Sequence, residues 1–90
     1  MNVIITVVGA DKPGIVASVS SCLYEKNVNI LDITQTVMRE GLFTMSLLAD
    51  CDKMNCTFGD FKAALTAAGE KMGMDIRVQR EEIFTSMHRI

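Results

Sequence analysis

One histidine, one proline, one tyrosine and no tryptophan occur in this chain of 90 residues, and each shortage closes off a class of function. Aromatic residues make up 6% of the chain and lysines and arginines form no cluster, so neither a stacking platform nor a basic stripe is available for nucleic acid. The formal net charge of −2 points the same way. The single histidine, His88, stands beside Arg89 near the end, and a Cys–His pair would require the tail to fold back. Nothing assembles a nucleophile, a base and an orienting group, so no enzyme is expected. Three cysteines, an odd number without repeated spacing, exclude a disulfide framework and favour the reducing cytoplasm. Cys51 and Cys56, flanked by Asp50 and Asp52, lack metal-ligand spacing and read as incidental loop thiols, while Cys22 reads as a small buried hydrophobe. No metal or cofactor is expected. The apolar run Val3 to Val8 is too short for a bilayer, and the start lacks the basic region and cleavage site of a signal peptide.

What remains is a chain that is 49% apolar, enough for one folded domain over residues 1–90. A domain of this size buries only about 60–65% of its unfolded surface, which makes self-association a reasonable expectation. Val3 to Val8 is β-branched and bounded by Gly9, the pattern of a central strand buried on both faces. From Pro13 the period changes, with Ile15, Val16, Val19, Cys22 and Leu23 at helical spacing. Asp11 is placed to cap the N–H of Gly14, and Asn27 to end the helix in a left-handed conformation.

Val28 to Met38 alternates, with Leu31, Ile33 and Val37 on one side and Asp32, Thr34 and Thr36 on the other, predicting a strand with one buried face. Arg39-Glu40-Gly41 reads as a hairpin turn into a partner strand over Leu42 to Ala49. Thr57 and Asp60 open a second helix with an apolar stripe of Phe58, Phe61, Leu65, Ala68 and Met72, closed by Gly73. Met74, Ile76 and Val78 alternate as a last strand. Residues 81–90 form a tail whose Ile83, Phe84, Met87 and Ile90 recur at helical spacing, to cover the protein's own sheet or to dock on a partner subunit. Met45, Met72 and Met74 fall at core positions. The order β-α-β-β-α-β predicts an α+β ferredoxin-like sandwich, a four-stranded antiparallel sheet with both helices on one face.

The motif Gly9-Ala10-Asp11-Lys12-Pro13-Gly14-Ile15-Val16 is the most informative stretch. A helix that starts on a glycine turn presents unpaired N–H groups and the positive end of its dipole, a place for a carboxylate or phosphate. Together with Asn29-Ile30 a helix later and the β-α-β-β-α-β order, it resembles an ACT domain over essentially the whole chain. The tail resembles that of small stand-alone bacterial and archaeal members. The chain is also similar to the ACT segments of the glycine-cleavage repressor and formyltetrahydrofolate deformylase. The resemblance implies a regulatory module that binds an amino acid or other small ligand where domains pair. Carried over, it marks Gly9, Asp11, Gly14, Ile15, Val16, Asn29 and Ile30 as candidate ligand-binding residues, with no catalytic or metal residue. The chemistry is consistent: the N–H groups of Gly14 to Val16 suit a carboxylate, and Asp11 and Asn29 suit an ammonium group. These residues also have plain readings, Asp11 as a cap, Gly14 as a turn glycine and Asn29 as a local turn residue. The expected partners are a small molecule and further copies of the chain in a homodimer or larger homo-oligomer, with neither nucleic acid nor membrane. The alternative is a dimerisation or adaptor module that meets another protein and binds no small molecule.

Overall fold

The structure, a computed structural model, describes residues 1–82. Strand β1 (Asn2–Ala10), helix α1 (Ile15–Glu25), strand β2 (Asn29–Val37), strand β3 (Leu42–Asp50), helix α2 (Phe58–Met72) and strand β4 (Met74–Arg80) follow in order. The strands form one antiparallel sheet in the order β2-β3-β1-β4, with both helices on one face. This is the predicted ferredoxin-like sandwich. The stripe Ile83, Phe84, Met87 and Ile90 and the histidine His88 lie outside the described residues.

β1 is central, but it is not buried on both sides. Val3, Ile5 and Val7 are fully buried under the helices, beside Met45, Leu47 and Ala49 of β3 and Ile76 and Val78 of β4. Ile4, Thr6 and Val8 point to the other face and stay half-exposed, because no layer of the described chain covers it. Ile15, Val19 and Leu23 of α1 and Phe61 and Leu65 of α2 complete the core. Cys51, expected as an incidental loop thiol, is buried there too.

The helix ends follow from local chemistry. Gly14, with φ of 88°, is itself the cap residue of α1, and no side chain caps the helix. The expected Asp11 cap is therefore absent; instead the Asp11 N–H donates to the Gly41 carbonyl at 2.8 Å. At the far end Asn27, φ 58°, closes α1 in the left-handed conformation foreseen for it. Its N–H donates to the Tyr24 carbonyl (3.0 Å) and that of Val28 to Leu23 (2.9 Å), which satisfies carbonyls that the helix leaves open. For α2, the Thr57 hydroxyl accepts from the Asp60 N–H at 3.1 Å and Gly73, φ 71°, ends the helix. Gly41, φ 79°, turns the β2–β3 hairpin.

β2 departs from expectation. Only Ile30 is partly buried; every other residue is exposed, including the Leu31, Ile33 and Val37 that alternation assigned to a buried face. The reason is helix cover. β2 and β4 are the two edge strands, but α2 packs closely against β4 whereas α1 barely touches β2, so the helix-side residues of β2 are left uncovered. A bulge between Ile30 and Asp32 shifts the register, so that Ile30 pairs with Ala49, Ile33 with Leu47 and Val37 with Phe43, all on the helix-covered face.

Candidate functional site

The seven candidate residues fall into two groups at opposite ends of the sheet. Gly9, Asp11, Gly14, Ile15 and Val16 cluster where β1 passes into α1. Gly9 pairs with Phe43 on one side and Met74 on the other. A Cβ on Gly9 would lie 2.5 Å from Met74 Sδ and 2.9 Å from the Gly73 carbonyl, so packing alone requires glycine. A Cβ on Gly14 would meet nothing within 4 Å; there the positive φ is the requirement. Ile15 is 2% exposed and can offer a ligand only its N–H, whereas Val16 is 37% exposed. With no side-chain cap, the first-turn N–H groups of α1 face outward unclaimed. Asp11 is exposed beside them, and its backbone tie to Gly41 fastens the hairpin tip to this end of the molecule.

Asn29 and Ile30 stand at the other end, where Asn29 pairs with Asp50 of β3. Following β3 from Phe43, the partner of Gly9, to Asp50 spans roughly 20–25 Å at ~3.3 Å per residue. Within one chain, then, Asn29 does not meet Asp11 or the start of α1. It lines an open cavity of ≈ 380 Å³ together with Tyr24, Asn27, Val28, Asp50 and Lys53. Sequence reasoning missed Tyr24, Asp50 and Lys53. Tyr24 lies off the apolar stripe of α1 and is 85% exposed. Lys53 sits in the loop after β3, which the Asn27 side-chain amide holds against the end of α1 by donating to the Lys53 carbonyl at 2.8 Å. Asn55 repeats the tie, its side-chain amide donating to the Glu25 carbonyl at 2.9 Å.

Burial pushes the thiols of Cys22 and Cys51 above the ordinary range, so both are protonated and unactivated at neutral pH. Among the described residues no group of three His, Cys, Asp or Glu side chains is placed to hold a metal. Nor, among them, is any helix long and apolar enough to cross a membrane.

A family model for the ACT domain matches residues 2–79. The chain belongs to the ACT domain family. It is 52% identical over 89 residues to a UPF0237 protein of Methanococcus maripaludis, covering 99% of this chain and 98% of that one. Among solved structures it is similar to an ACT domain protein from Streptococcus pneumoniae, with a TM-score of 0.81, 40% identity and 93% of each chain covered. It also matches part of a formyltetrahydrofolate deformylase from Pseudomonas syringae, with a TM-score of 0.80 and 26% identity. That match takes in 87% of this chain and 26% of the enzyme. The ACT fold thus accounts for almost all of the described chain.

Proposed function

We propose that this ACT domain is a regulatory module that binds an amino acid between two copies of itself, with Asp11 and the start of α1 from one subunit and Asn29 from the other. The observation that carries the reading is the separation of the two half-sites along an uncovered edge. β2 presents exposed apolar side chains at Ile33 (43%) and Val37 (48%) on the helix side of the sheet, and Val16 of α1 is exposed as well. An exposed apolar edge strand invites a second strand. Antiparallel pairing of β2 with its copy about a two-fold near Ile33 buries these groups and exchanges the strand ends. The Asn29 end of one subunit then meets the Val37 end of the other, beside the partner's hairpin tip and α1 start. Asp32, the one charged residue of β2, faces a threonine or glutamine region of the copy rather than another aspartate.

In this assembly the N–H groups at Gly14, Ile15 and Val16 take the carboxylate and Asp11 takes the ammonium group. Gly9 keeps the turn tight, Ile30 backs the half-site of Asn29, and Asn29 closes it. Ligand held by both subunits favours the dimer, and that shift is the regulatory output.

The test is complementation. A thermal-shift screen against the amino acids identifies a ligand, since ligand at 100 times its Kd adds roughly 2.7 kcal/mol. Asp11→Ala and Asn29→Ala each lose that shift. Mixed and re-equilibrated, they regain part of it, because each mixed dimer carries one intact site. A shift that survives either substitution, or a mixture no better than its parts, rejects the shared site. A flat screen with a dimer still present selects the adaptor reading, which the exposed strip on β2 also favours.

A further inference from the structure

Resting on the reading above, we infer that the ligand's side chain lies against Val16 and Val37 of one subunit and Ile30 of its copy, so that the ligand class is an amino acid with an aliphatic side chain. The Val16 N–H is one of the receptors for the α-carboxylate, and no side chain caps it. The Val16 side chain is exposed, so a ligand held at that N–H has a hydrocarbon branch as its immediate neighbour. Helical spacing places Val16, Ser20 and Tyr24 on one flank of α1. That flank faces β2, since Tyr24 shares a cavity with Asn29, while Ser18, Ser21, Cys22 and Glu25 line the groove toward α2. The Ser20 hydroxyl is turned back on its own helix, donating to the Val16 carbonyl at 2.7 Å. Because α1 ends beside Asn29, where β2 begins, Val16 stands toward the Val37 end of the strand.

Beneath that flank lies the helix side of β2. Ile30, Ile33 and Val37 share it, and so does Gln35, the partner of buried Met45. Three of these four side chains are β-branched hydrocarbons, and Gln35 carries no charge. Pairing of β2 with its copy covers their flanks but adds no layer above them. It also brings Ile30 of the copy to the Val37 end. Charge is directed elsewhere. Asp32 pairs with Leu48 and shares the uncovered face of the sheet. A Cβ on Gly73 would lie 3.7 Å from Lys12 Nζ, which places that ammonium at the end of α2. Arg39 and Glu40 belong to the turn. The cavity beside Asn29 holds one cation and one anion, Lys53 and Asp50, and selects neither sign. An aliphatic side chain is therefore what this strip can shelter from water. A charged or hydroxylated one loses hydration there with no partner to replace it.

Isothermal titration of the purified protein with L-alanine, L-α-aminobutyrate, L-valine, L-leucine, L-threonine, L-glutamate and L-lysine tests the class. Affinity is expected to rise about fourfold for each carbon added from alanine to valine, the worth of one buried methylene. Threonine, which has the shape of valine with a hydroxyl in place of a methyl, is expected to bind at least about tenfold more weakly than valine. In Val16→Thr and in Val37→Thr the gain from alanine to valine shrinks about fourfold, because one methyl contact is replaced by a hydroxyl. Both positions are exposed and threonine keeps the shape of valine, so each variant retains the fold and the pairing of β2, which sedimentation velocity verifies. Threonine, glutamate or lysine binding as tightly as valine overturns the aliphatic class and leaves amino-acid binding intact. A gain from alanine to valine that is unchanged in both variants overturns the placement on this strip. Absence of binding by every compound overturns both this inference and the reading on which it rests.

Discussion

Two glycines of α2 show how little the residue type says without its surroundings. A Cβ on Gly69 would stand 2.7 Å from the Met74 carbonyl and 2.9 Å from Ile76 Cγ1, because the helix lies directly against β4 there; a Cβ on Gly59 meets nothing. Gly69→Ala is expected to cost about 1–3 kcal/mol by forcing α2 off the sheet. Gly59→Ala is expected to gain roughly 0.5–1 kcal/mol from lower chain entropy. Urea denaturation of the two variants checks both signs, and equal effects would refute the close approach. Gly69 follows Leu65 on the buried side of the helix, yet a count of apolar residues reads it as a gap in the stripe. Gly14 misleads in the opposite direction. Asp11 stands at the right spacing to cap its N–H, but the left-handed φ of Gly14 makes that glycine the cap residue itself, so Asp11 is left free on the surface. The torsion that frees it is invisible to spacing. Gly41, Thr57 and Gly73, by contrast, were legible because each has one local task that its own chemistry performs, and so was the helix-ending turn of Asn27, though not its side-chain bond to Lys53.

At the scale of elements the strands and helices followed from periodicity, and burial did so only where a helix covers the strand. β4 alternates and its apolar face is buried; β2 alternates and its apolar residues are exposed. Both are edge strands; the difference is helix cover, close from α2 on β4 and slight from α1 on β2, which a nine-residue pattern does not encode. The bulge after Ile30 adds a shift that strict alternation cannot register. If β2 is the pairing edge, Ile33→Lys and Val37→Lys should abolish the dimer in sedimentation velocity while changing monomer stability by no more than about 0.5 kcal/mol, the range for exposed sites. Lysine is the residue by which natural edge strands refuse a neighbour. A dimer that survives both substitutions, or a protein that is monomeric without them, removes β2 as the interface. The same variants should lose the ligand-induced thermal shift although Asp11 and Asn29 are untouched, since each half-site then lacks its complement.

For the whole molecule, a sheet with one bare face and few residues has little stability to spare, and the start of β1 is tied to the loop after β3. The Cys51 N–H donates to the Met1 carbonyl at 2.8 Å, and the Met1 ammonium pairs with Asp52. That pair is exposed, so solvent screens it and its contribution is small. Its pH dependence is nonetheless defined. The ammonium, through its hydrogen bond to the carboxylate, holds Asp52 below the ordinary carboxylate range; that stabilisation is complete above the unfolded pKa of about 3.9 and is lost as pH falls through the lower folded value. The same bond raises the Met1 ammonium above its ordinary value; here the stabilisation is complete below the unfolded pKa of about 7.7–8.0 and is lost as pH rises through the higher folded value. Asp52→Asn should therefore lower the urea midpoint near pH 6 and converge on the unaltered protein at both about pH 2 and about pH 10. Added salt should shrink the pH 6 difference, as expected for an exposed pair. A difference that persists at both extremes would assign the role of Asp52 to its turn rather than to its charge.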